Sequence, residues 1–169
     1  GLPTLVAEEL DADWSQVRAV GAPADVKRYN NLLWGPVQGT GRSTSLANSW
    51  EQLRNAGAAA RAMLVSAASA KWGVPAGEIA VSKGMVSHKA TGRKASFGEL
   101  AADAAKQPVP VEVKLKEPKD FVYIGKKVQR IASRAKTPGR ATFTQDVKLP
   151  GMLTALVAHP PRFGAKVKS

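Results

Sequence analysis

The residues best equipped for chemistry in this chain stand together as Gln38-Gly39-Thr40-Gly41-Arg42-Ser43-Thr44-Ser45. They bring glycines, hydroxyls, a carboxamide and a guanidinium to the start of an Ala-rich segment, Leu46 to Trp72, that carries the pattern of a long helix. Free N–H groups at a helix start carry partial positive charge, and glycine lets backbone approach a ligand closely, so phosphate is the natural guest of such a turn. Arg42 would add charge-assisted hydrogen bonds, and Thr40, Ser43 and Thr44 neutral ones. The same letters also spell an ordinary helix cap at Ser43 or Thr44. Taken alone, the local pattern favours the cap, because most Ser and Thr caps hold no ligand.

Other candidate chemistry is sparse. The chain has no cysteine, which removes disulfides, thiolate catalysis, iron–sulfur ligation and cysteine-based zinc sites from it. His88 stands near a predicted hairpin without a second histidine or carboxylate at ligand spacing, and reads as a surface residue. No catalytic residue and no metal ligand is assigned.

At 169 residues, 44% hydrophobic and 22% charged, the chain suits one ordinary core or two small ones. A formal charge of +12 favours anionic partners such as nucleic acid or phosphate groups. The distribution tempers that: Glu8, Glu9, Asp11, Asp13 and Asp25 gather early, while the excess of Lys and Arg is dispersed from Lys83 onward. With no block of roughly five or more like charges, a solvated surface facing an acidic partner subunit explains the charge about as well as nucleic acid does. No apolar run approaches the roughly 20 residues that span a bilayer.

The elements that must carry the turn follow from periodicity. Leu2, Leu5, Val6, Glu9 and Leu10 predict a short helix from about Pro3 to Asp11, and Val17, Ala19 and Gly21 a short strand over Gln16 to Ala22. Pro23 to Val37 has no period and reads as a loop, with Tyr29 and Trp34 as packing anchors. A helix runs from about Thr44 to Trp72 and stops at Gly73-Val74-Pro75, and Gly57 within Ala56–Ala60 marks a close approach of another backbone or ligand. Glu78–Ser82 and Met85–His88 form a hairpin, Lys94–Phe97 a further strand, and Phe97–Ala105 a helix capped by Ser96 with Glu99 as its box partner. Residues 107–138, rich in Pro and Lys, read as a linker or extended surface crossing. Two β-like runs, Ala141–Val147 and the apolar Met152–His159, begin a second unit, so the chain is expected to be part of a longer polypeptide.

The run from Arg130 to Ala155, with Gly139, Phe143, Asp146-Val147 and Leu149-Pro150-Gly151-Met152-Leu153, resembles the start of the α/β hammerhead domain of the xanthine oxidase family. The turn Gln38–Ser45 with its Ala-rich helix resembles the molybdopterin-binding part of the same family, and Leu2–Leu10 with Asp11-Ala12-Asp13-Trp14 resembles the helix that follows a Gly-Gln-Gly cofactor motif there. Cofactor-lobe sequence ahead of hammerhead sequence, joined through Lys116–Phe121 and Ile124-Gly125-Lys126, is similar to the large (beta) subunit of isoquinoline 1-oxidoreductase and related exported aldehyde dehydrogenases.

The resemblance implies an α+β fold: a partial molybdopterin-binding lobe at 1–106, with a long helix on short, mostly antiparallel strands, then the linker, then the beginning of a hammerhead domain at 139–169. It implies a molybdenum–molybdopterin cytosine dinucleotide in the full-length subunit, touched in this chain by Gln38, Gly39, Thr40, Gly41, Arg42, Ser43, Thr44 and Ser45. It implies partners as well: the remainder of the large subunit, a small subunit with 2Fe–2S clusters, room for a cytochrome c subunit, and no nucleic acid. A periplasmic location and oxidation of an aldehyde or N-heterocycle follow on the same ground. The family's catalytic glutamate has no counterpart in this sequence, so the chain by itself should be catalytically silent. A basic nucleic-acid-binding module, or a docking domain for an iron–sulfur subunit, stand as the alternatives.

Overall fold

The computed structural model describes residues 1–166. Its axis is the helix α3 (Thr44–Trp72), bounded as the periodicity predicts. Gly73 ends it in the left-handed conformation, φ 66°, where its N–H reaches the Ser69 carbonyl at 2.9 Å. The first half of α3 packs along α1 (Leu2–Leu10), and its second half packs on a small sheet.

Gly57 explains how α1 and α3 come so close. A Cβ at this position would stand 2.6 Å from the Val6 carbonyl oxygen and 3.1 Å from Glu9 Cβ, so only glycine admits the crossing. Gly1 meets Leu46, Val6 meets Gly57, and Asp11 meets Arg61, so the two helices run side by side in the same direction.

The sheet is antiparallel in the order β1 (Ile79–Ser82), β2 (Met85–His88), β3 (Arg93–Ser96). Lys83 and Gly84 both take positive φ, 48° and 74°, which is the two-residue turn that matches strand twist. The register sets Val81 opposite Val86 and Val86 opposite Ala95, so these share the inner face. That face, with Leu64, Ala67 and Ala68 of α3 and Leu100 and Ala104 of α4 (Phe97–Ala104), makes the core. α4 starts with the predicted capping box: Ser96 Oγ accepts the Glu99 N–H, and Glu99 returns to the Ser96 N–H at 2.7 Å.

Several expectations are corrected. Residues 16–22 form no strand; a 3-10 turn at Trp14–Gln16, capped by Asp13, leads into exposed chain with Val20 in solvent, where no neighbouring strand supplies hydrogen bonds. The loop 23–37 contains one helical turn, α2 (Val26–Tyr29), because Asp25 accepts the Arg28 N–H at its start. The β-like runs 141–147 and 152–159 are not strands either. The first holds a 3-10 turn, Thr144–Asp146, and the second exposes Leu153, Leu156 and Val157 with no strand beside it among the described residues.

The chain divides into two compact units, Gly1–Ile131 and Ala132–Ser169, with the boundary inside the predicted linker 107–138. In the second unit α5 (Ser133–Lys136) is the only α-helix among the described residues. In the first, residues 114–124, with a 3-10 turn at Pro118–Asp120, are fastened to α1 through buried charges.

Candidate functional site

The turn ahead of α3 is held from both sides. Gln38 spends its whole carboxamide on the loop behind it: Oε1 accepts the Asp25 N–H at 3.1 Å and Nε2 donates to the Pro23 carbonyl at 3.0 Å. Thr44 Oγ1 accepts from Asn31 Nδ2 at 2.8 Å and donates to the Gly41 carbonyl at 2.9 Å. Arg42 and Ser43 adopt left-handed backbone, φ 49° and 57°, and the Ser43 hydroxyl makes no cap bond. The α3 amino terminus therefore takes no hydroxyl cap from Ser43, and Thr44 is bonded to Asn31 and Gly41 instead.

The glycines of the turn answer to a side chain of the same protein. A Cβ at Gly39 would fall 2.6 Å from the Trp34 ring, and one at Gly41 2.7 Å from it. Their bareness seats an indole, so Trp34 is the packing anchor the sequence suggests.

Beside the turn opens a cleft of about 1000 Å³. One wall is the face of α3 that carries Ser45, Asn48, Ser49, Gln52 and Leu53; another is the loop from Ala22 to Val37, with Arg28, Tyr29 and Asn30; Leu2 closes the end. Of the eight residues singled out from the sequence, Gln38, Gly39, Thr40 and Ser45 line this cleft, while Gly41, Arg42, Ser43 and Thr44 are not among its walls. No carboxylate lines it among the described residues. Amides, hydroxyls and one guanidinium share the walls with Leu2, Val26, Pro36, Val37 and Leu53, a mixed lining that suits a ring system with polar edges and an anionic group.

The lining outside the turn is legible in the sequence in one respect. Ser45, Asn48, Ser49 and Gln52 recur at i, i+3, i+4 and i+7, a polar stripe on an Ala-rich helix. Tyr29 and Asn30 sit in a loop without period, where no pattern points to them.

A second polar assembly lies further along α1. Glu8 and Glu9 are fully buried. Glu8 accepts the successive N–H groups of Val122, Tyr123 and Ile124, at 2.9, 2.6 and 2.8 Å, and pairs with Lys116 Nζ at 3.2 Å. Burial pushes the Glu8 carboxyl up, but those three amides and the ammonium together outweigh it and hold it below the ordinary glutamate value. Glu9 pairs with Arg54 at 2.7 Å and accepts the Lys116 N–H, and Arg54 lies 5.2 Å from the centres of both the Trp50 and Phe121 rings. Asp11 takes Lys116 at 2.6 Å and Arg61 at 3.0 Å. Tyr123 donates to the Ala12 carbonyl at 2.6 Å, and burial, with the carboxylates of Asp13, Glu8 and Asp11 nearby, raises its hydroxyl above the usual tyrosine range. Every charge has partners within the chain, so this assembly fastens the fold and offers nothing to a ligand.

His88 is a correction. It is buried, not at the surface, because it shares the inner face of β2 with Val86; its ring nitrogens meet Thr91 Oγ1 at 2.8 Å and Glu78 Oε2 at 2.9 Å. Among the described residues no group of three or more His, Asp or Glu could hold a metal.

No family model matches the chain. Among characterised proteins, it is 35% identical to the beta subunit of isoquinoline 1-oxidoreductase from Brevundimonas diminuta, over 96% of this chain and 25% of that protein. It is 33% identical to a membrane-bound aldehyde dehydrogenase (pyrroloquinoline-quinone) of Gluconacetobacter polyoxogenes, over 99% of this chain and 22% of that one. It is also 33% identical to a nicotinate dehydrogenase subunit from Pseudomonas putida, over 96% of this chain and 13% of the relative. The chain thus spans a quarter or less of the length of these relatives.

Proposed function

From the similarity to an isoquinoline 1-oxidoreductase large subunit, which extends along nearly all of this chain, we propose that the chain is part of a molybdenum hydroxylase large subunit that oxidises an aldehyde or N-heterocycle. Its first unit supplies one wall of the cofactor site, and residues 139–169 begin the hammerhead domain. The three relatives carry the names of an oxidoreductase and two dehydrogenases, which supports the redox class. The observation that carries the site is the carboxylate-free cleft between the starts of α1 and α3, walled by Gln38, Gly39, Thr40 and Ser45 together with Asn48, Ser49 and Gln52.

The residues fit a molybdenum–molybdopterin cytosine dinucleotide in the character of their donors. Ser49, Gln52, Thr40 and Ser45 would hold its polar edges, with Asn48 spent on the Leu32 N–H and the Ser49 hydroxyl, and Arg28 with Ser45 at the start of α3 would hold its phosphates. When bound, that group supplies the redox chemistry of the reaction. This chain's part is to bind and orient, since among its described residues no carboxylate stands in the cleft to move a proton.

The name of one relative carries pyrroloquinoline quinone, itself a planar anion that the same donors would suit, and this is the second reading. Acid release of nucleotide and metal analysis on the full-length subunit separate the two. Stoichiometric cytidine nucleotide with molybdenum is expected. Removing two donors in Ser49→Ala/Gln52→Ala, at about 1 kcal/mol per hydrogen bond, should lower retention roughly tenfold or more. Extraction of a quinone supports the second reading, and wild-type retention of the cofactor by the double variant sinks the assignment of this wall.

A further inference from the structure

Resting on the reading of the cleft as a cofactor wall, we infer that Asn31 is the positioning residue of that wall, fixing the turn Gly39–Gly41 and the indole seated on it. Asn31 is 3% exposed, the most buried side chain of its loop. Each of its polar groups is spent on a different part of the structure. Its N–H donates to the Val37 carbonyl at 2.9 Å, closing the far end of the loop, and its carbonyl accepts the Trp34 N–H at 2.8 Å. Its Oδ1 accepts the Leu33 N–H at 3.1 Å, and its Nδ2 donates to Thr44 Oγ1 at 2.8 Å. Thr44 then uses its single proton on the Gly41 carbonyl at 2.9 Å. One carboxamide thereby couples the loop that carries Trp34 to the turn on which the indole rests, and Asn31, Val37, Gln38 and Gly39 all line the cleft.

The relay depends on direction. An aspartate at position 31 has the same shape but no N–H to give, so the Thr44 hydroxyl must choose between that carboxylate and the Gly41 carbonyl. Two variants break the relay at different points, Asn31→Asp and Thr44→Val, and Thr44→Ser restores its hydroxyl.

The first readout is the ¹⁹F resonance of Trp34 in the full-length subunit labelled with 5-fluorotryptophan, assigned through Trp34→Phe. It should move in Asn31→Asp and Thr44→Val and return to its wild-type position in Thr44→Ser. The second is cytidine nucleotide released per folded full-length subunit, which should fall roughly tenfold in the first two variants and recover in Thr44→Ser. An unmoved resonance in both disruptive variants overturns the proposal, as does a moved resonance with wild-type nucleotide content. A wild-type subunit that releases no cytidine nucleotide sinks the cofactor reading instead, and the resonance then decides Asn31's hold on the turn by itself.

Discussion

Two polar assemblies sit at successive levels of the same helix pair, and they are built on opposite terms. At the Glu8–Asp11 level, charges are buried and each is answered by named partners from α3 and residues 116–124. At the Leu2–Gln52 level, amides, hydroxyls and the Arg28 guanidinium share the walls of an open cleft with apolar side chains. A buried charge without its partner is costly, whereas a half-exposed amide without one keeps its water. The first assembly therefore determines whether the fold stands, whereas in the second Asn31, Gln38 and Asn48 hold the loop and the exposed amide of Gln52 is left to serve a ligand.

The sharpest way to break that contrast is Glu8→Ala. It strands the amides of Val122, Tyr123 and Ile124 and removes one carboxylate from Lys116 in a buried setting, which should cost about 3–5 kcal/mol. Gln52→Ala, on the cleft, should stay within about 0.5 kcal/mol. Urea unfolding of both variants measures the difference, and equal effects would erase the distinction between the two assemblies.

Acid probes the same assembly without mutation. Because the folded protein holds the Glu8 carboxyl below its ordinary value of about 4.3, the stability it contributes is fully present above that pH and is lost as pH falls through its lower folded value. Tyr123 has the opposite sign: raised in the fold, it contributes fully below about pH 10 and loses its contribution as pH rises through its folded value. Thermal melting as a function of pH should show an acid limb that Glu8→Gln flattens.

The two levels are unequally legible in the sequence. The helix 44–72, the hairpin and the Ser96 box depend on local spacing, turn chemistry and capping, and each forms as read. Nothing local marks Glu8 and Glu9 as buried, because their partners lie more than 40 residues away, in Arg54, Lys116 and Val122–Ile124. The runs 16–22 and 152–159 alternate or collect apolar residues as strands do, yet a strand exists only when another backbone pairs with it, and no local pattern reports that. His88 differs from both: its alternation with Val86 places it on the inner face, a signal that the absence of a ligand partner at metal spacing does not cancel.

Paired glycine substitutions sharpen the contrast at its smallest scale. Gly57→Ala and Gly39→Ala would each bring a Cβ to 2.6 Å from its nearest neighbour. At Gly57 the obstacle is the Val6 carbonyl, part of a helix that cannot yield alone, so α1 must move away from α3 and loosen the contacts of Glu8 and Glu9. That cost should be about 1–3 kcal/mol by overpacking, against a helix-propensity gain of up to about 1 kcal/mol for alanine over glycine, leaving a net loss. At Gly39 the obstacle is the half-buried indole of Trp34, which can swing outward. Gly39→Ala should therefore change unfolding stability by less than about 1 kcal/mol. Its effect should appear instead as a shift in tryptophan emission, because the substitution moves the aromatic ring seated on the turn without disturbing the charges that hold the helices together.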